Sequence, residues 1–76
     1  MEQALRTIIE SIVSDPSSVS INEVEGERAI VYEVKVAEAD MGKVIGKEGR
    51  IAKAIRTVMK AVAAKENKRI TIEFIG

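Results

Sequence analysis

Residues 42–51 read Gly-Lys-Val-Ile-Gly-Lys-Glu-Gly-Arg-Ile. Gly46 and Gly49 stand either side of Lys47 and Glu48, with the apolar pair Val44 and Ile45 before them and a long amphipathic stretch after. Glycine is placed where a backbone must bend sharply or come close to something else. A Gly-x-x-Gly turn that opens directly into a helix leaves backbone N–H groups unpaired at the positive end of the helix dipole. Such an end suits a phosphate, and Lys43, Lys47, Arg50 and Lys53 surround this one. The loop therefore reads as a grip on a nucleic-acid backbone.

The rest of the chain must fit around that turn in 76 residues, which is room for one domain with a modest core. Cysteine and histidine are both absent. That removes disulfides, thiol nucleophiles, imidazole acid–base catalysis and the usual zinc sites. No metal or cofactor is expected, and the chain does not read as an enzyme. Apolar content of 46 % argues against disorder. Glu2, Arg6 and Glu10 interrupt the apolar positions at the N-terminus, so a signal peptide is not expected. No apolar run is long enough to span a bilayer, and a cytoplasmic protein is expected.

A net charge of zero conceals a segregation. Residues 1–40 hold nine acids (Glu2, Glu10, Asp15, Glu23, Glu25, Glu27, Glu33, Glu38, Asp40) and three bases, net −6. Residues 41–76 hold nine bases (Lys43, Lys47, Arg50, Lys53, Arg56, Lys60, Lys65, Lys68, Arg69) and three acids, net +6. A basic patch is a local property, so the neutral total does not exclude a polyanion.

Leu5, Ile8, Ile9, Ile12 and Val13 have the spacing of a helix over residues 3–13 with one buried face. Asp15-Pro16 ends it, since the residue before proline is pushed out of the helical region. Val19 to Glu25 reads as a short strand whose alternation breaks at Val24, and a bulge near Glu23 would account for the break. Gly26 marks a turn. Ile30, Tyr32, Val34 and Val36 alternate along a second strand, residues 29–36. Asp40 is placed to N-cap a short helix, Met41 to Ile45. After the glycine turn a helix runs from Arg50 to about Lys65, its expected buried stripe Ile51, Ile55, Val58 and Val62, with Ala54 and Ala61 allowing close packing. Asn67 can end it in a left-handed conformation. Ile70, Ile72 and Phe74 alternate along a third strand, Arg69 to Ile75. A hairpin, a right-handed helical crossover and a parallel return predict an α+β domain, a three-stranded mixed sheet covered on one face by helices.

Competing phosphate loops fail on spacing. A Walker loop needs four residues between its glycines and a Ser or Thr after the Lys; three separate Gly42 from Gly46, and Glu48 follows Lys47. A dinucleotide fingerprint fails because the loop joins two helices and has no preceding Gly-x-Gly. Glu23, Glu25 and Glu27 flank a hairpin turn and read as solvated surface. One tyrosine and one phenylalanine, both at expected core positions, leave no aromatic platform for bases.

Val44-Ile45-Gly46-Lys47-Glu48-Gly49-Arg50-Ile51 resembles the V-I-G-x-x-G-x-x-I signature of KH domains, with the last isoleucine displaced. The helix–strand–strand–helix–helix–strand order resembles the type II KH fold, and residues 1–76 are consumed by one such domain, as in the small stand-alone bacterial KH proteins of the KhpA family. The resemblance implies single-stranded RNA as ligand, about four nucleotides held in a cleft, and work as an RNA chaperone or post-transcriptional regulator. On it, Gly46 and Gly49 allow close approach of phosphate and Lys47 faces the backbone. Glu48 repels phosphate and weakens the grip. Val44, Ile45 and Ile51 supply apolar surface. Lys43, Arg50 and Lys53 add charge contacts, and strand Arg69–Ile75 forms the opposite wall. It further implies pairing, as a homodimer or with a larger KH protein of the KhpB or Jag type, with Met59 compatible with such a surface. The other reading is a protein-interaction adaptor that kept the fold and lost RNA affinity.

Overall fold

The computed structural model describes residues 1–75. Six regular elements follow in the expected order: α1 Glu2–Ile12, β1 Ser20–Glu25, β2 Ala29–Lys35, α2 Met41–Ile45, α3 Arg50–Ala64 and β3 Arg69–Ile75. Single turns of 3₁₀ helix sit at Pro16–Ser18, Glu38–Asp40 and Lys47–Gly49. The sheet order is β1-β2-β3, with β1 antiparallel and β3 parallel to the central β2. β3 is thus an edge strand, reached by the crossover through α2 and α3. Among the described residues no helix is long and apolar enough to cross a membrane.

Leu5, Ile9 and Val13 of the first helical stretch meet Ile30, Tyr32 and Val34 of β2 and Ile70 and Ile72 of β3 in one core. Val44 closes it from α2 and is fully buried. Ile8 and Ile12 are half-buried at its margin. At the sheet's hairpin, the pairing Ser20↔Lys35 through Glu25↔Ile30 is unbroken. The expected bulge near Glu23 is therefore absent. Val24 instead lies on the outer sheet face opposite Val31, 52 % exposed.

The stripe of α3 is displaced by one residue from the expected one. Ala52, Ile55, Met59 and Ala63 are buried, while Ile51 and Val58 are 39 % and 50 % exposed and Ala54 and Ala61 are exposed. Both sets have helical spacing and share Ile55, so periodicity cannot separate them. Two contacts decide the phase. The Ile51 side chain lies over the backbone of Gly46 and not toward the sheet. The unbranched Met59 fills the centre of the core and is fully buried, a shape-adapting role thioether chains suit. Met59 is therefore no part of any pairing surface.

At the other end of α3, Asn67 is left-handed at φ 56°. Its N–H donates to Ala64 O at 3.1 Å and that of Lys68 to Ala63 O at 3.0 Å, the pair of bonds that ends a helix in a Schellman motif.

Candidate nucleic-acid interface

Gly46 has φ 76° and ψ 176°, a region open essentially to glycine alone. Lys47–Gly49 then make one 3₁₀ turn, with Glu48 and Gly49 both at positive φ, 58° and 74°. Lys47 and Glu48 are exposed at the tip, and Gly46 and Gly49 half-buried beneath it. The loop closes part of its own hydrogen bonding. Gly49 N–H donates to Gly46 O at 3.2 Å, and Arg50 N–H to Lys47 O. The amides of Lys47 and Glu48 have no backbone acceptor among the described residues. The expected cradle of outward amides is thus two donors wide.

Charge around the loop is also less free than the sequence implies. Arg50 Nη2 lies 3.7 Å from Glu48 Oε2, both side chains well exposed, so the two partly cancel at little energetic consequence. Lys43 Nζ sits 3.4 Å from Asp40 Oδ1 and donates to Ser14 Oγ. Asp40 occupies the position before α2, yet its side chain does not cap that helix. The carboxylate accepts the N–H of Ser14 at 3.0 Å and of Asp15 at 3.1 Å and is 2 % exposed. Those bonds, with the nearby Lys43, hold its pKa below the ordinary value of 3.8 against the opposing effect of burial. Asp40 therefore ties α2, and the loop it carries, to the chain leaving α1. The expected cap fails because Glu38–Asp40 is already helical, which turns the carboxylate back toward Ser14.

Lys47 and Lys53 are exposed and in no ion pair among the described residues. Lys53, Arg56 and Lys60 share one face of α3, spaced three and four residues apart. That face looks onto the open edge of β3. Arg56 Nε donates to Ile72 O at 3.2 Å, and its guanidinium lies 5.3 Å from the centre of the Phe74 ring. Arg56, Lys60, Ile70, Thr71 and Ile72 line a shallow groove between helix and strand.

A sequence model described as "KhpA/KhpB, KH domain" matches residues 2–74. The chain belongs to this family. Proteins named RNA-binding protein KhpA are similar to it from end to end. That of Clostridium acetobutylicum is 61 % identical over 75 residues, covering 99 % of this chain and 100 % of the relative. That of Clostridium perfringens is 56 % identical over the same shares. That of Borreliella burgdorferi is 41 % identical over 73 residues, covering 96 % and 89 %.

Within this KhpA/KhpB-type KH domain, the structure sorts the expected site residues. Gly46, Lys47, Glu48, Gly49, Arg50 and Lys53 cluster at the start of α3. Ile45 is half-buried against the core. Val44 is fully buried and offers nothing to a ligand. Lys43 is turned toward Asp40 and Ser14. Ile51 is not wholly core; it is partly exposed and covers the turn. Tyr32 is 1 % exposed, so it cannot stack on a base; burial raises its phenol pKa. Half-buried Phe74 carries Arg56 on its ring. The residue that sequence reasoning left out of the site is Arg56. Its place in a basic stripe with Lys53 and Lys60 was visible from spacing, but its carbonyl partner on β3 was not.

Proposed function

We propose that this chain binds single-stranded RNA through the Gly-Lys-Glu-Gly loop and the basic face of α3 beside it, and acts as an RNA chaperone or post-transcriptional regulator. The observation that carries the reading is the exposed turn whose Lys47 and Glu48 amides lack backbone acceptors. Those donors, with Lys47, Lys53 and Arg56, match a sugar–phosphate chain. Relatives named as RNA-binding proteins support it. With Tyr32 buried, bases would lie on aliphatic surface and on the β3 edge, so sequence choice is loose and affinity rests on charge. The test is fluorescence anisotropy with a labelled random-sequence octamer at two salt concentrations. Replacing Lys47 and Glu48 together by aspartate is expected to weaken binding at least tenfold with the circular-dichroism spectrum unchanged. Unaltered affinity would remove the loop from the mechanism.

A second reading, a partner-binding role, is favoured by the outer face of α3. Ile51, Ala54, Thr57, Val58, Ala61 and Ala64 are all exposed there, and none is charged. Ile51, Ala54, Val58 and Ala61 repeat at the spacing of a helix–helix seam. The occupant is a second copy of this chain. An antiparallel two-fold pairing sets Val58 on Val58 and alanine on alanine, as a self-complementary contact requires. The Ile51–Ala54–Val58–Ala61 seam is on a different side of α3 from Lys53, Arg56 and Lys60, so pairing and RNA binding are compatible. Sedimentation of wild type and Val58→Glu tests it. A dimer that dissociates in the variant supports it. A monomer that gains mass only with a larger KH protein moves the seam to that partner.

A further inference from the structure

Three hollows on the surface lie away from the glycine loop. About 140, 360 and 830 Å³ in volume, they follow one another along α3 and β3 toward the hairpin end. The first and second share Lys60, Ile70 and Thr71. The second and third share Lys68 and Arg69. They therefore form one continuous groove, which ends against Arg28, Ala29 and Asn67.

The direction of the chain puts that end far from the loop. α3 starts at the loop, and β3 runs back along it, so Arg69 at the start of β3 lies by the end of α3. Fifteen residues of α3 correspond to about 22 Å. A stacked single strand rises about 3.4 Å per nucleotide. The path from the loop to that end, the groove included, therefore holds roughly six stacked nucleotides, more than the four a KH loop clamps.

The far end is also cationic. Arg28, Lys60 and Arg69 enter no ion pair among the described residues. Lys68 is 3.1 Å from Glu25, which raises its pKa, and Glu27 also lines the wall. Arg28 and Arg69 thus supply the uncompensated charge, and their backbones are joined where both line the last hollow: Arg69 N–H donates to Arg28 O at 2.8 Å.

We propose that the RNA path continues past the loop along the α3–β3 groove to a second phosphate-binding platform made by Arg28 and Arg69. The inference rests on the RNA-binding reading above. It makes the site a track for about six nucleotides, which an octamer fills, with the glycine loop at one end and the arginine pair at the other.

The experiment compares labelled oligouridine of four, eight and twelve nucleotides, by anisotropy at several salt concentrations. Wild type is expected to hold the 8-mer at least tenfold tighter than the 4-mer, with little gain at 12. Replacing Arg28 and Arg69 by alanine removes that gain and leaves the 4-mer unchanged. It also lowers the salt slope for the 8-mer by about 1.4, at about 0.7 per lost contact on single strands. Lys60→Ala, in mid-groove, gives a smaller loss for the 8-mer only. Sedimentation of the 8-mer complex is expected to give one chain per RNA; two chains per 8-mer would trace the gain to bridging and overturn the track. Equal affinity for 4-mer and 8-mer, or equal weakening of both by the double variant, also overturns it. If no length binds, the RNA-binding reading itself falls.

Discussion

A Cβ on Gly46 would lie 2.8 Å from Ile51 Cβ and 2.9 Å from the Ile51 amide nitrogen. The two residues meet because the loop folds back on the first turn of α3, and Ile51 covers the bend. Gly46→Ala therefore meets a clash with backbone as well as a forbidden dihedral, and is expected to cost about 1–3 kcal/mol. Gly49 differs: its φ is 74° but nothing stands within 4 Å of an added Cβ, so alanine there costs about 1–2 kcal/mol from the left-handed backbone alone. Gly42 has open space and an ordinary helical backbone, so alanine there stabilises by roughly 0.5–1 kcal/mol. Urea midpoints of the three variants check the order. If Gly46→Ala is as stable as Gly42→Ala, the described loop geometry is wrong.

Asp40 is the hidden support of the same loop. Its native pKa lies below 3.8, first through the Ser14 N–H bond. A carboxylate whose pKa is lowered on folding stabilises the fold above its unfolded value and stops doing so as the pH falls through the native one. Asp15 has a lowered pKa as well, from the hydroxyls of Ser17 and Ser18, so wild type alone does not separate the two. Asp40→Asn does. It is expected to melt below wild type at neutral pH, with the difference shrinking as the pH drops below 3.8. Thermal unfolding across that range measures it, and a constant difference at every pH would assign the effect to packing.

The order of elements, the mixed sheet and the glycine loop were legible because each has a local cause: alternation, proline and glycine punctuation, an i, i+3, i+4 stripe. The α3 stripe was not, because two adjacent stripes share Ile55 and only the tertiary contacts of Ile51 and Met59 choose between them. Val24 misled for a similar reason, since an apolar residue facing solvent imitates a broken register. In the site, the backbone torsions followed from Gly-x-x-Gly, while the engagement of Lys43 with Asp40 joins residues 14, 40 and 43, which no local pattern links. The phase of α3 gives a sharp check. Met59→Ala is expected to cost about 2–5 kcal/mol as a core truncation, and Val58→Ala, at a concentration where the chain is monomeric, within about 0.5 kcal/mol as a surface change. Chemical denaturation of both variants reads it, and the reverse order would restore the expected stripe.

Arg56 separates charge from geometry in the groove. Lysine at this position keeps the positive charge but cannot reproduce a planar guanidinium that bonds Ile72 O through Nε while lying on Phe74. The lost cation–π contact costs the fold about 0.5–1 kcal/mol, too little to unfold it. On the RNA-binding reading, Arg56→Lys should weaken an octamer several-fold with the salt slope unchanged, because the number of cations is the same. Arg56→Gln should weaken it and also lower the slope by about 0.7. Affinities of both variants at four salt concentrations separate the two effects. Lysine matching wild type would mean that Arg56 contributes only charge and that its bond to the β3 edge is incidental to binding.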